Sequence, residues 1–162
     1  MLAKESMRIS VVAASNRQPE WVAAGFADYA KRLRGRCTLG LVEVPLARRG
    51  PSQPVERAVT IEGERMLTAL PKGARVVALD ETGVNWSTAE LAARLRAWLA
   101  RGAPVALLIG GPDGMAPTCL ARADERWALS RLTLPHGLVR VAVAEALYRA
   151  WTLLDGHPYH RG

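Results

Sequence analysis

An α/β fold, with a mostly parallel sheet flanked by helices, is the class that the sequence predicts. Short apolar segments of strand length alternate along the chain with longer segments of helical period, as in βαβ units. The segment 105–109 is continuously apolar, which is typical of a central parallel strand covered on both faces. A length of 162 residues predicts one domain over residues 1–162, with enough chain to bury a full core.

The first half of the chain predicts three strands and two helices. Residues 7–13 form the first buried strand, so residues 1–6 are expected to be a disordered or non-native extension. A helix over 20–33 follows, and its basic end either complements the helix C-terminus or contacts RNA phosphates. The remaining elements are a strand at 39–44, a Gly/Pro/Arg-rich loop at 47–54, a helix at 55–70 and a strand at 75–79.

The second half contains the clearest local signals. Asp80-Glu81-Thr82-Gly83 lies at a strand's carboxyl end and is either an ordinary turn or a ligand-facing segment. Ser87-Thr88-Ala89-Glu90 matches a capping box and opens a helix over 88–100. After the strand at 105–109 we expect a short helix at 116–123, a strand-like run at 127–134, and a helix at 138–154. The low charge of that last helix predicts burial in the core or in a dimer interface.

Composition narrows the class of partner. A net charge of +7 favours a polyanion, and nucleic acid before a membrane. Cys37 and Cys119 are isolated, which argues for a reducing compartment and against a zinc site. The sequence contains no apolar run of about 20 residues and no signal peptide, so we expect a cytoplasmic protein with no membrane partner.

Two Gly/Pro turns in the last third are candidates for a ligand site. The turn Gly110-Gly111-Pro112-Asp113-Gly114 directly follows a strand, and glycines there let a ligand approach the backbone closely. It matches neither G-x-G-x-x-G nor a Walker loop, which disfavours a Rossmann dinucleotide site. Residues 128–135 are apolar enough to line a purine pocket with backbone groups facing the adenine edge. A plain strand and turn explains them equally well.

Four strings in this region, taken in order, resemble the ribosomal RNA large subunit methyltransferase H family. They are LLIGGPDG at 107–114, WALSRLTLPHGLVRV at 127–141, EALYRAW at 145–151 and HPYHR at 157–161. A thinner match extends back to Met7 and includes Arg48-Arg49-Gly50 and Glu62-Gly63-Glu64. The family belongs to the SPOUT class of S-adenosylmethionine-dependent RNA methyltransferases.

The resemblance implies a fold, a reaction and partners. It implies an α/β fold whose C-terminal segment forms a trefoil knot, in a homodimer whose sites are each built partly from the neighbouring chain. The implied reaction transfers a methyl group to N3 of a pseudouridine in a 23S rRNA hairpin loop, on the assembled ribosome; no DNA partner is expected. A catalytically inactive ribosome-binding or assembly protein of the same fold is the main alternative, and a nucleotide-using α/β enzyme is a weaker one.

The resemblance also implies site residues. Cofactor binding falls on the end of the third strand, the glycine turn and the following loop, namely Leu79, Gly110, Gly111, Ser130, Arg131, Leu132, Thr133, Leu134 and Pro135. The side chain of Arg131 is expected to point outward, because relatives often have a small residue there. The RNA-facing, catalytic candidates are His157, Tyr159, His160 and Arg161. The alternative for that tail is structural packing on the dimer partner, and His136 is expected to act mainly as a hydrogen-bonding residue at a helix start.

Overall fold

The computed structural model describes residues 6–33, 35 and 37–161, apart from the side chains of residues 160 and 161. The strands are β1 (Met7–Ala14), β2 (Cys37–Val44), β3 (Arg75–Asn85), β4 (Val105–Ile109) and β5 (Glu125–Ala128). The helices are α1 (Glu20–Ala30), α2 (Val55–Thr68), α3 (Thr88–Arg101), α4 (Pro117–Arg122) and α5 (His136–Asp155), followed by a 3-10 turn at Pro158–Arg161. The extension expected at residues 1–6 falls outside the described residues except for Ser6.

The strands form one five-stranded sheet in the order β2-β1-β4-β3-β5. Every pairing between neighbouring strands is parallel, which confirms the predicted α/β class. β4 lies in the middle of the sheet, and all of its residues are buried. The predicted central parallel strand is therefore confirmed.

Helices cover both faces of the sheet. On β4, Leu107 and Ile109 face a core shared with α1, α3 and α5. Leu108 faces the opposite way, into a second core shared with α2 and α4. Successive side chains of a strand point to opposite faces, so one continuously apolar strand supplies both cores.

The capping box that opens α3 is confirmed. Ser87 Oγ accepts a hydrogen bond from the backbone N–H of Glu90 at 3.1 Å, and a carboxylate oxygen of Glu90 accepts one from the N–H of Ser87 at 2.9 Å. Two backbone N–H groups at the helix start, which have no partner within the helix, are hydrogen-bonded by side chains within four residues of sequence. Local chemistry of this kind fixes the helix start independently of the rest of the fold.

Several predicted boundaries differ from the structure, and three of them differ most. The first helix ends at Ala30 rather than 33, and β3 continues through residues 80–83 to Asn85. The strand predicted at 127–134 is correct only to Ala128, because its pairing with β3 ends there and the Asn85 side chain donates to the Ala128 carbonyl at 2.7 Å. Residues 129–135 are therefore a loop.

No helix within the described residues is long and apolar enough to cross a membrane. The trefoil knot stays a prediction.

Candidate active site

A cleft of about 730 Å³ lies at the carboxyl ends of β4 and β5, beside the middle of β3. Ligands bind at this edge in open parallel sheets because the loops that follow the strands converge there. The cleft is lined by residues 79–81 of β3, the glycine turn after β4, the loop after β5 and the start of α5. Its lining is Leu79, Asp80, Glu81, Ile109, Gly110, Gly111, Pro112, Gly114, Met115, Trp127, Leu129, Ser130, Leu132, Thr133, Leu134, Pro135, His136 and Val139.

The glycine turn forms one wall of the cleft and is closely packed behind. The N–H of Gly114 donates to the Gly111 carbonyl at 3.0 Å, and Gly114 has a φ of 95°. A Cβ added at Gly110 would lie 2.9 Å from the backbone of Gly114 and of Met115. A Cβ added at Gly111 would lie 2.9 Å from Glu62 Oε1. Both glycines are therefore required by the fold of the turn, and the turn presents backbone to the cleft.

A buried ion-pair network supports this turn from below. Glu62 on α2 is buried and accepts hydrogen bonds from both terminal nitrogens of Arg49 and from the Ala47 N–H at 3.0 Å. Arg49 also donates to Asp113 in the turn at 2.9 Å. The two carboxylates hold the Arg49 guanidinium as its cation and raise its pKa, with Glu62 as the larger cause. The network thus links α2, the loop before it and the glycine turn.

The loop over residues 129–135 forms the opposite wall. Within the described part of the chain, residues 129–134 make no backbone–backbone hydrogen bond. Ser130 Oγ accepts the N–H of Leu132 at 2.9 Å, which leaves most other N–H and C=O groups of the loop available to a ligand. Leu132 is 72% exposed at the rim.

The cleft brings together all of the predicted cofactor residues except Arg131. Leu79, Gly110, Gly111, Ser130, Leu132, Thr133, Leu134 and Pro135 line it, from three separate segments of the chain. Arg131 has an exposed side chain and is absent from the lining. Their role in binding a cofactor stays a prediction. The remainder of the lining includes apolar side chains that sequence reasoning missed, chiefly Ile109, Met115, Trp127 and Val139. Leu129 also lines the cleft, and it lies in the apolar run 128–135 that was considered for a pocket.

The carboxylates in the middle of β3 reach the cleft from a strand and not from the turn considered above. Asp80 and Glu81 both line it. Asp80 accepts the Thr82 hydroxyl at 2.7 Å and lies 3.8 Å from the Arg126 guanidinium. Gly83 permits this extended course, since a Cβ there would lie 2.7 Å from the Arg126 backbone. The ligand-facing interpretation of this segment is thus compatible with its strand conformation.

His136, the first residue of α5, also lines the cleft. Its imidazole is half-buried, and burial followed by the charge of Arg140 lowers its pKa below the ordinary histidine value. Arg140 is 1% exposed and donates to Ser15 Oγ at 2.8 Å. It also lies 3.5 Å from a carboxylate oxygen of Glu43. The start of α5 is in this way tied to the carboxyl ends of β1 and β2.

The described residues of the C-terminal tail lie outside the cleft. The described lining of the cleft includes neither His157 nor Tyr159. His157 is exposed, and its Nδ1 accepts the Tyr159 N–H at 3.2 Å. Tyr159 packs on α5, where its hydroxyl donates to Glu145 at 3.3 Å and its ring lies 4.6 Å from that of Tyr148. Burial is the main cause that raises the pKa of Tyr159 to about 12.

The other two tail residues, His160 and Arg161, have side chains outside the described residues. Within one chain, then, the described tail residues form a unit anchored on α5. The cleft and the tail are separate features, and only the cleft has the shape of a small-molecule site.

The chemistry of the cleft is that of a site for a flat, mostly apolar ligand with polar edges. Aromatic and aliphatic side chains line the cleft together with the exposed backbone of the glycine turn and of the loop after β5. The titratable groups in the lining are Asp80, Glu81 and His136. Among residues 6–33, 35 and 37–161, no cluster of three or more His, Cys, Asp and Glu side chains could hold a metal ion. Binding there would depend on shape and backbone hydrogen bonds.

Comparisons with known proteins agree over almost the whole chain. A family model described as "Predicted SPOUT methyltransferase" matches residues 7–160. A relative from Alkalilimnicola ehrlichii, named "Ribosomal RNA large subunit methyltransferase H", is 56% identical over 155 residues, which are 96% of this chain and 99% of that one. Relatives with the same name from Thioalkalivibrio sulfidiphilus and Marinomonas sp. are 54% and 50% identical, over 96% of this chain and 99% and 100% of theirs.

A solved structure, the SpoU methyltransferase AviRb from Streptomyces viridochromogenes in complex with AdoMet, is similar at a greater distance. It aligns with 92% of this chain and 59% of its own, with a TM-score of 0.44 and 14% sequence identity. That likeness is too low to support an argument about the site.

Proposed function

The chain belongs to the ribosomal RNA large subunit methyltransferase H family of SPOUT methyltransferases, and from this membership we propose its reaction. It transfers a methyl group from S-adenosylmethionine to N3 of a pseudouridine in a 23S rRNA hairpin loop of the assembled ribosome. The observation that carries the proposal is the convergence of three separate segments, residues 79–81 of β3, the glycine turn and residues 130–135, on one cleft.

The cleft fits the cofactor in size and in chemistry. Its volume of about 730 Å³ lies within the range of roughly 300–1,000 Å³ that small-molecule sites occupy. The free backbone of residues 129–134 can bond the polar edge of an adenine, while Leu79 and Trp127 supply apolar surface for its faces. The bound cofactor would supply an activated methyl group on a sulfonium, and the carboxylates of Asp80 and Glu81 favour such a cation.

Two further features support a homodimer with shared sites. The tail with Tyr159 lies outside the cleft of its own chain, so a substrate-facing role for it requires the cleft of a second copy. Large apolar side chains are exposed on the α1 and α5 surface and at the cleft rim, among them Trp21, Leu138 and Leu132. A partner chain would cover such surface. The basic charge of the chain suits rRNA, and a ribosomal substrate places the protein in the cytoplasm.

The primary test is mass spectrometry of 23S rRNA from cells that lack the protein. The methylated pseudouridine should be absent there and should return with the wild-type chain. A Thr133→Arg chain, whose added side chain occupies the cleft and repels a sulfonium, should not restore it. The same substitution at Thr38, exposed on β2 and away from the cleft, is the matched control and should restore it. Persistence of the modification in the deletion strain would disprove the assigned substrate.

Calorimetry distinguishes an enzyme from an inactive assembly factor of the same fold. Wild-type protein should bind S-adenosylmethionine, Thr133→Arg should lose that binding, and Thr38→Arg should keep it. Ribosome association without cofactor binding by the wild type would instead favour the assembly factor.

Co-expression tests the shared site. A chain truncated before His157 keeps its cleft and lacks the tail, whereas Thr133→Arg keeps its tail and lacks the cleft. Random pairing makes half of the dimers mixed, each with one complete site of two, so about a quarter of wild-type activity should return. No recovery beyond the two separate variants would contradict a site built from both chains.

A further inference from the structure

The proposed function requires that a proton leave the target base, and the cleft contains a group suited to take it. We propose that His136 is the catalytic residue that accepts the N3 proton, with the buried Arg140 behind it on α5 as the charged group that disfavours its imidazolium form. This inference rests on the proposed function. It differs from the expectation that the catalytic candidates lie in the tail and that His136 acts mainly as a hydrogen-bonding residue at a helix start.

Placement is the first observation. His136 lines the same cleft as Leu134 and Pro135, and its imidazole is half-buried. Its backbone is pinned by the following residue: a Cβ at Gly137 would lie 2.6 Å from Gln18 Oε1 and 3.1 Å from Val22 Cγ2. The first turn of α5 therefore packs directly on the start of α1. This packing fixes the position of the His136 backbone at the cleft wall.

Arg140 is the second observation, because its structural contacts leave one buried donor unpaired. It follows His136 by four residues, which places both on the same face of α5. Its guanidinium reaches Ser15 at 2.8 Å and Glu43 at 3.5 Å, yet its Nε has no hydrogen-bond partner among the described residues. Burying a cation with a donor left unsatisfied is costly, and a catalytic role is one explanation of such a group in a folded protein.

The electrostatic surroundings keep His136 uncharged. Arg140 lies behind it on α5, and the positive end of the helix dipole adds to that effect. From β3, Asp80 and Glu81 line the cleft and act in the opposite sense, while Gln18 of the loop before α1 is neutral. Burial and then Arg140 dominate, so the pKa of His136 is lowered and its imidazole is a ready proton acceptor at neutral pH.

This direction also separates two roles for the residue. An imidazole that served to hold the carboxylate of an amino-acid ligand would be favoured as a cation. A buried imidazole beside an arginine is favoured as the neutral form, which suits a general base.

The step balances with one proton released. The N3–H bond of the base breaks and its proton passes to the free ring nitrogen of His136. The N3 electron pair forms the new N–CH3 bond as the S–CH3 bond breaks, and the electrons of that bond stay on sulfur, which becomes a neutral thioether. The imidazolium then returns its proton to water before the next turnover.

The test is a single-turnover pH–rate profile on ribosomes from cells lacking the protein. Wild-type rate should rise with pH through an acid limb below the ordinary histidine range. His136→Ala should react about 10²–10⁴-fold more slowly and lose that limb, with partial recovery in added imidazole. Cofactor affinity measured by calorimetry should stay within about threefold. A rate within tenfold of wild type, or an equal loss of cofactor affinity, would overturn the assignment.

Two further variants make the result specific. Arg140→Met should move the acid limb to higher pH, because the pKa of His136 rises when the neighbouring cation is removed; Arg140→Lys keeps a cation and should keep the limb where it is. His157→Ala, a matched histidine outside the cleft, should retain the limb even if its rate falls. If His157→Ala loses the acid limb and His136→Ala retains it, the proton acceptor would be assigned to the tail instead. Absence of methylation by the wild type would overturn the proposed function itself.

Discussion

Replacement of Glu62 by alanine tests the support beneath the glycine turn. The Glu62 side chain is 3% exposed, and it accepts the Arg49 guanidinium and the Ala47 N–H at 3.0 Å. Its Oε1 also lies 2.9 Å from the position that a Cβ of Gly111 would take. Truncation removes the partner of a cation, frees a buried donor and opens space under the turn.

The magnitude follows from these contacts. Removal of one partner of a buried ion pair costs about 3–5 kcal/mol. Arg49 is 25% exposed and keeps Asp113, so roughly 2–3 kcal/mol is expected for this part. The unpaired Ala47 N–H adds about 1–2 kcal/mol, for a total near 4 kcal/mol. With a urea m-value of about 2 kcal/mol/M, the midpoint of unfolding should fall by roughly 2 M.

Urea denaturation followed by tryptophan fluorescence measures this change, with Glu64→Ala as the control. Glu64 is an exposed glutamate on the same helix, and its loss should change stability by less than about 0.5 kcal/mol. The cofactor affinity of Glu62→Ala should fall as well, since the side chain that packs beneath the glycine turn is removed. A midpoint for Glu62→Ala close to that of Glu64→Ala, at equal m-values, would refute the network as a support of the site.

Three further predictions concern the cores and the edge of the sheet. Gly63→Ala should destabilise by about 1–2 kcal/mol in thermal or urea unfolding, despite alanine's better helix propensity, because its Cβ would overlap α4; Gly40→Ala, in open space on β2, should change little. Burial raises the pKa of Cys37 to about 12 and also raises that of Cys119, so neither thiol should react with a disulfide reagent at pH 8 until the protein is unfolded, and prompt native labelling would contradict this. A backbone N–H at the start of β3 is the main cause that lowers the pKa of Asp124, so Asp124→Asn should lower the stability by about 1 kcal/mol at pH 7. That difference should shrink as the pH falls through the lowered folded-state pKa of Asp124, and a difference that does not change with pH in the acid range would count against it.

Sequence predicted the elements whose causes are local. The continuous apolar run of β4 and the capping box at Ser87 each carry their own signal within a few residues. The loop after Ala128 has the same apolar composition as a strand, and only the end of pairing with β3 separates the two. A pairing partner 43 residues away leaves no mark on local pattern, so that boundary could not be predicted.

For the same reason, only those parts of the site that have a local cause could be predicted from the sequence. The glycine turn is marked by residue types that a backbone-lined cleft requires. The loop after β5 was explained equally well by a plain strand and turn, and its cofactor role was implied only by the family resemblance. The support from Glu62 and Arg49 could not be predicted, because α2 and the loop before it meet the turn only in three dimensions. Arg140 looked like one of three charges on a buried helix, and its contacts with Ser15 and Glu43 depend on β1 and β2.

The two groups of candidate residues carry different kinds of information about the reaction. The proposed cofactor residues would act through backbone, so a single chain can assemble them in its own cleft. The proposed tail residues would act through side chains, and Tyr159 is held on α5 by Glu145 and Tyr148 and is not among the residues that line the cleft. A proton acceptor must lie beside the reacting atoms, whereas a group that holds the RNA loop need not. In the proposed mechanism His136 meets the first requirement from within one chain, and the tail can meet the second across a dimer.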